Sequence, residues 1–390
     1  MGLSISEELA QSYIRIMSIE CDKVKGVNLS QGICDIETPR EVMEGAKNAI
    51  DAGMNYYTRY DGIPELRAAI SKKLKAHNGI SADPETEIIA SGGATGALFS
   101  AMLALVKREE EIILFEPYYG YHLHTLQAIG AKPLFVRTSP PDWKIDFEEL
   151  ERKITPKTRG IIINTPSNPS GKIFSKEELR AISEICARHD LIVFTDEIYE
   201  YFVYDGKKHT SPASLPELAD RTVTVSGYSK TYSITGWRIG YCACKREWAE
   251  RIGHINDLLY VCAPSPLQWG VAAGMEKLPD SFYRRISGEY QKKRDRMCEV
   301  LDEIGMKPFI PNGAYYVLAD ATSIEGKSSP EKAMNLLRSA GVAAVPGRAF
   351  YHDDAGDGLL RFCFAKKDGD LEQAYEKLFS LKGEKNGKKI

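Results

Sequence analysis

Seven short apolar runs, rich in β-branched residues, recur through the middle of the chain: Glu87–Ala90, Glu111–Phe115, Lys132–Val136, Gly160–Ile163, Leu191–Thr195, Thr222–Val225 and Ile239–Ala243. Runs such as Gly160-Ile-Ile-Ile163 and Leu191-Ile-Val-Phe194 carry no polar alternation. A strand with one wet face alternates, so a strand without alternation is covered on both faces. Helix signals lie between the runs. Ser175 offers an N-cap with an acid three residues on, at Glu178, and periodic apolar residues follow through Ile185. The pattern predicts an α/β fold whose large domain is a mostly parallel, seven-stranded sheet covered by helices.

After about residue 280 the pattern changes. A long charged helix from Ser281 to about Ile304 precedes short strands near Tyr315–Leu318 and Leu360–Phe364, with helix signals near Pro330–Ala340 and Asp368–Leu381. This reads as a smaller α+β domain, and a length of 390 residues suits one large domain plus a smaller one. We expect residues 1–45 to form an N-terminal arm and part of the small domain, 46–280 the large ligand-binding domain, and 281–390 the rest of the small domain.

Charge and cysteine usage narrow the partners. Lys and Arg total 51 against 54 Asp and Glu, so no charge excess points to nucleic acid or an anionic membrane. No run approaches the ~20 apolar residues of a membrane helix. The first residues, with Glu7 and Glu8, do not read as a signal peptide. Eight cysteines form no CxxC pair and read as reduced core thiols, which predicts a cytoplasmic protein.

Four polar clusters each follow a predicted strand, at the edge where open α/β sheets bind ligands. Ser91-Gly-Gly-Ala-Thr-Gly96 lets backbone approach an anion at a helix start, although a tight glycine turn would look the same. Asn164-Thr-Pro-Ser-Asn-Pro-Ser-Gly171 presents Asn168 at a turn tip, or is a plain Asn-Pro turn. In Thr195-Asp-Glu-Ile-Tyr199, Asp196 ends a buried strand, where a carboxylate needs a partner or a function. Tyr199 reaches the same side if a helical turn begins there. Ser226-Gly-Tyr-Ser-Lys230 precedes Thr235-Gly-Trp-Arg-Ile-Gly240. A lone lysine is usually a solvated surface charge, but Arg238 can clamp a phosphate dianion, and a lysine held nearby suits imine chemistry with an aldehyde cofactor. In this order the clusters supply what pyridoxal phosphate chemistry needs: a phosphate cradle, a ring hydroxyl donor, a carboxylate for the ring nitrogen and an imine-forming lysine.

The same residues resemble the class I/II aminotransferases, pyridoxal-phosphate enzymes with the aspartate-aminotransferase-like fold. The likeness runs from Asn28-Leu-Ser-Gln-Gly32 to Leu360-Arg-Phe-Cys-Phe-Ala365. It implies that Lys230 forms the Schiff base and shuttles a proton, that Asp196 pairs with the ring nitrogen, and that Asn168 and Tyr199 bond the ring oxygen. It implies that Tyr119, in Glu116-Pro-Tyr-Tyr119, stacks on the ring, and that Gly93, Ala94 and Thr95 hold the phosphate with Arg238. Tyr57, in Asn55-Tyr-Tyr57, matches a tyrosine lent to the neighbour's phosphate site, which implies a homodimer with shared active sites. Arg361 matches the arginine that binds the substrate α-carboxylate. Gly32 matches a glycine where the N-terminal segment passes over the substrate as a lid. One departure is Gly227, where many relatives carry a phosphate-binding serine.

The activity implied is transfer of an amino group between an L-amino acid and a 2-oxo acid, with 2-oxoglutarate as acceptor. A C–S lyase or synthase of the same fold is the nearer alternative, and a regulatory module without turnover the more distant one. Aspartate, aromatic, methionine-like and broad specificities stay open. Ile33, Cys34 and Asp35 are expected to line the side-chain pocket, with Ile33 and Cys34 leaving room for an apolar group. Arg348 either pairs with an acidic substrate side chain or lies on the surface.

Overall fold

The structure is a computed structural model that describes residues 12–34 and 37–387. A two-residue strand, β1 (Val27–Asn28), precedes one large sheet built from β2 (Ile88–Gly92), β3 (Glu111–Glu116), β4 (Lys132–Ser139), β5 (Lys144–Ile145), β6 (Thr158–Asn164), β7 (Ile192–Asp196), β8 (Thr222–Gly227) and β9 (Ile239–Ala243). Their order is β2-β9-β8-β7-β6-β3-β4-β5. Each of the seven apolar runs supplies one strand. The sheet nevertheless has eight, because β5 adds an antiparallel edge on Thr138 and Ser139. Two residues are too few to leave a periodic trace in the sequence. β4, β3, β6, β7 and β8 pair in parallel, whereas β9 runs antiparallel to both β2 and β8.

The absence of alternation has its cause in cover on both faces. On one face Leu114, Ile162, Phe194 and Val225 pack against Ala97, Ala101 and Ile252, from the helices Gly93–Leu105 and Arg246–Tyr260. On the other, Ile113, Ile161 and Val193 pack against Leu179, Ile182 and Cys186 of the helix Lys176–Arg188. Each of the leucine, isoleucine, valine and phenylalanine side chains among these contributes about 1.5–3 kcal/mol on burial. The last helix starts where the sequence signals it. Glu178 donates its N–H to Ser175 Oγ at 3.2 Å, and Ser175 donates its N–H to Glu178 Oε2 at 2.9 Å.

A second sheet follows the helix Asp280–Glu303. Its strands are β10 (Lys307–Phe309), β11 (Tyr316–Asp320), β13 (Val345–Pro346) and β14 (Leu359–Cys363), ordered β10-β11-β14-β13 and antiparallel, while β12 (Val342–Ala343) pairs in parallel with β1. Cys363 also donates its N–H to Leu29 O at 2.8 Å, so the N-terminal segment lies against this layer.

The two layers are tied beside the carboxyl ends of the large sheet. Glu116, buried at the end of β3, accepts the His352 N–H at 2.7 Å, and His352 Nδ1 lies 2.8 Å from the same oxygen. Arg137 bridges Glu116 and Asp353, and Tyr118 donates its N–H to Phe350 O. All eight cysteines are unbridged. Among the described residues no helix is long and apolar enough to cross a membrane.

Candidate active site

Three strand ends of the large sheet converge on one cavity of about 470 Å³. β7 ends at Asp196, whose Oδ2 lies 2.9 Å from His122 Nε2 and whose Oδ1 accepts the Ile198 N–H at 3.3 Å. β6 ends at Asn164, which donates from Nδ2 to Asp196 O at 2.9 Å and accepts the Asn168 N–H at 2.7 Å. One asparagine thus fixes both the aspartate and the Asn-Pro turn. β8 ends at Gly227, and the turn after it carries Lys230, whose Nζ donates to Gly32 O at 3.2 Å. Burial pushes the Lys230 ammonium below its ordinary range, and Arg238 adds to that shift.

The glycine-rich turn after β2 forms the cradle at the start of the helix Gly93–Leu105. Gly93 has φ +78°, and a Cβ there would lie 2.4 Å from Arg238 Nη2. Arg238 is itself left-handed at φ +56°, held by Nη1 donating to Thr235 O at 2.9 Å. Gly240 brings β9 against the cradle, since a Cβ there would lie 2.4 Å from Ala94 N. Together these place an arginine against a helix N-terminus, the arrangement that takes a phosphate. The donor set fits pyridoxal phosphate: an anion cradle, a desolvated amine and a hydrogen-bonded carboxylate share one cavity.

Arg361, in β14, is fully buried on the side of the second sheet. Nη1 donates to Asn168 Oδ1 at 2.9 Å and Nη2 to Ser30 O at 2.6 Å, while Nε has no partner. The Tyr316 ring lies 4.1 Å from the guanidinium, and its hydroxyl is 3.2 Å from Tyr199 Oη. Burial pushes Tyr316 up to about 12, with Arg361 pulling the other way, and burial also raises Tyr199 well above its ordinary value.

Gly32, Ala94, Thr95, Tyr119, Asn168, Asp196, Tyr199, Lys230 and Arg238 all line the cavity. Gly93 and Arg361 adjoin it through Arg238 and Asn168. Tyr57 stands apart: it is 82% exposed and lines a separate surface cleft with Tyr56 and Met54. Ile33 lines the cavity, but Cys34 turns away, 2.6 Å from Tyr290 Oη and 3.1 Å from Ser233 Oγ. Asp35 lies outside the described residues. Arg348 is closed off by ion pairs to Asp354 and Asp357. His122 and Tyr316 were not singled out from sequence. A histidine three residues after Tyr119 on a helix without charge was the available signal for the first.

The comparisons agree with this geometry. A family model described as aminotransferase class I and II matches residues 24–378. The chain is 34% identical over 389 residues to aromatic-amino-acid aminotransferase 2 of Thermococcus litoralis, covering 99% of each chain. It is 35% identical to the aspartate aminotransferase of Pyrococcus abyssi, covering 92% of each. Among solved structures, N-succinyldiaminopimelate aminotransferase from Mycobacterium tuberculosis superposes with a TM-score of 0.94 at 33% identity, covering 98% of this chain and 100% of that one. The chain belongs to the class I and II aminotransferases, a pyridoxal-phosphate-dependent family of transferases.

Proposed function

We propose that this aminotransferase accepts a broad set of L-amino acids and works through Lys230, Asp196 and Arg361. The relatives carry aromatic, aspartate and succinyldiaminopimelate names, so the shared scaffold serves apolar and acidic side chains alike. The observation that carries the assignment of roles is Lys230, a desolvated amine in the same cavity as a histidine-bonded carboxylate.

Bound pyridoxal phosphate supplies an electron sink that acidifies the α-proton of an attached amino acid. Lys230 Nζ holds the cofactor and is the base that takes that proton from substrate Cα. Burial lowers its basicity, which favours the neutral amine that this role needs. Asp196 holds the ring nitrogen protonated, and His122 fixes the carboxylate that does so. Asn168 and Tyr199 bond the ring oxygen, Tyr119 covers the ring face, and Arg238 with Gly93, Ala94 and Thr95 takes the phosphate. Arg361 binds the α-carboxylate, which gives its unpaired Nε a partner. Gly32 leaves space for this, since a Cβ there would lie 1.8 Å from Tyr316 Oη.

Tyr57, exposed beside Tyr56 and Met54, supports a homodimer in which each chain lends this tyrosine to its neighbour's phosphate site. Eight unbridged thiols support a reducing, cytoplasmic setting.

The test is an absorbance spectrum of the purified holoenzyme before and after single amino acids. Loss of the yellow band with both aromatic and acidic donors, and formation of their 2-oxo acids, is the expected result. Lys230→Ala is expected to abolish both the band and turnover. Normal transamination by that variant overturns the assignment, and pyruvate with ammonia in place of a 2-oxo acid indicates lyase chemistry.

A further inference from the structure

The cradle motif Ser91-Gly-Gly-Ala-Thr-Gly96 contains two residues to which the proposed reaction gives no task, Ser91 and Gly96. Both face one side chain, Tyr260, the last residue of the helix Arg246–Tyr260. Ser91 Oγ bonds Tyr260 Oη, and a Cβ on Gly96 would lie 3.2 Å from that same hydroxyl. Tyr260 Oη also accepts the Gly92 N–H at 3.0 Å. It donates to Asn256 Oδ1, from which Ser91 Oγ lies 3.0 Å away. Asn256 is fully buried and anchors the group: its Nδ2 donates to Tyr60 O at 2.6 Å and to Ala90 O at 3.2 Å.

Gly92 is the N-cap of the helix Gly93–Leu105 and has no side chain with which to close the helix start. Its N–H is held by Tyr260, and its carbonyl accepts Arg238 Nη2 at 3.5 Å. The following N–H groups, of Gly93, Ala94 and Thr95, have no partner within the helix, as in any first turn. Their direction depends on how Gly92 is set. A second feature marks the tyrosine. Val261, the next residue, is left-handed at φ +65°, and Cys262 donates its N–H across it to Tyr260 O at 2.7 Å. A β-branched residue takes such a γ-turn only under strain, and strain persists where the surroundings over-determine it. The helix end is therefore held, not relaxed, directly beside Tyr260.

We infer that Tyr260 is a positioning residue for the cofactor phosphate. It does not line the cavity and acts from behind the cradle. Its hydroxyl sets Gly92, and through Gly92 it sets the N–H groups of the next turn and the approach of Arg238. Ser91 and Asn256 orient that hydroxyl, and Gly96 leaves the space it occupies. The inference rests on the proposed phosphate site.

The experiment titrates the apoenzyme with pyridoxal phosphate and with pyridoxal, which carries the aldehyde but no phosphate, followed by absorbance. The readout is the ratio of the two affinities, because a general loosening of the fold lowers both alike. Tyr260→Phe keeps the ring and removes the hydroxyl. The preference for the phosphorylated ligand is expected to fall about three- to tenfold, the range of one neutral hydrogen bond, with pyridoxal affinity unchanged. Gly96→Ala keeps every partner and favours the helix, but its Cβ crowds the hydroxyl. Its preference is expected to fall in the same direction with no loss of thermal stability in the apoenzyme. A preference unchanged in both variants overturns the inference. So does an equal loss of both ligands in Tyr260→Phe, the result of a purely structural role. A wild type that binds pyridoxal as tightly as pyridoxal phosphate defeats the proposed phosphate site itself, and this inference with it.

Discussion

Gly93→Ala separates the folding role of the cradle from its binding role. At φ +78° an L side chain costs about 1–2 kcal/mol, and the stiffer unfolded chain returns part of this, about 0.4–1 kcal/mol. The added Cβ lies 2.4 Å from Arg238 Nη2, the far end of a flexible side chain. That end can swing aside with little penalty to the fold, so on the proposed reading the displacement falls on the phosphate that Arg238 would hold. Losing one charge-assisted hydrogen bond costs about 1.5–3 kcal/mol. At about 1.4 kcal/mol per tenfold, cofactor affinity falls ten- to hundredfold. Gly206→Ala is the control. It shares a left-handed backbone, φ +67°, but its Cβ would meet nothing within 4 Å. Thermal unfolding of both apo variants and titration with pyridoxal phosphate followed by absorbance give the two readouts. Both variants are expected to lose about 1 kcal/mol of stability, and only Gly93→Ala to lose affinity. Wild-type affinity in Gly93→Ala, or an equal loss in Gly206→Ala, would refute the reasoning.

Two further outcomes follow from buried partners. His122→Phe keeps a ring beside Tyr119, where the centroids are 5.4 Å apart, but removes the contact with Asp196; kcat is expected to fall about ten- to hundredfold with the circular-dichroism spectrum unchanged, and activity within twofold of wild type would show that Asp196 needs no such support. Lys73→Met tests the pair with buried Glu200, at 2.5 Å. Burial pushes that carboxyl up, but Lys73, together with His77 and His209, outweighs burial and holds Glu200 down to about 2, below the ordinary 4.5. A depressed folded value means stability that is present above the ordinary value and lost as pH falls toward about 2. The variant is expected to lose about 3–5 kcal/mol at pH near 7, where it strands a buried carboxylate. In denaturant titrations the gap to wild type narrows toward acid pH, and a gap independent of pH speaks against the pair.

The strands and the order of the polar clusters were legible because each is a local property. Lack of alternation in Gly160–Ile163 follows from cover on both faces, whatever supplies that cover. Asp196 stood out because a carboxylate at the end of a buried strand is costly by itself. The features that escaped depend on distant pairings. His122 meets Asp196 across 74 residues, and Tyr316 meets Tyr199 across 117. Neither side chain is unusual in its own stretch. Cys34 fails in the opposite way. Its neighbours Gly32 and Ile33 line the cavity, but one residue further the chain turns and the thiol packs on Tyr290. For Arg348 the partners Asp354 and Asp357 were visible nearby, yet only the tertiary turn brings them within ion-pair distance.

The motif glycines explain why the clusters carry so much information in so few residues. Gly32, Gly93 and Gly240 each reserve the volume of a Cβ for something remote: Tyr316 Oη, Arg238 Nη2 and Ala94 N. A glycine at such a position records a close approach that no neighbouring residue reveals. Arg361 records the converse. A guanidinium buried completely, with Asn168 and Ser30 O taking two of its arms and Nε left without a partner, is a burden on the fold. Replacing it with a leucine of the core would relieve that burden. On the proposed reading the burden is relieved instead when a substrate carboxylate arrives, so part of the penalty of a buried charge appears as affinity for the amino acid.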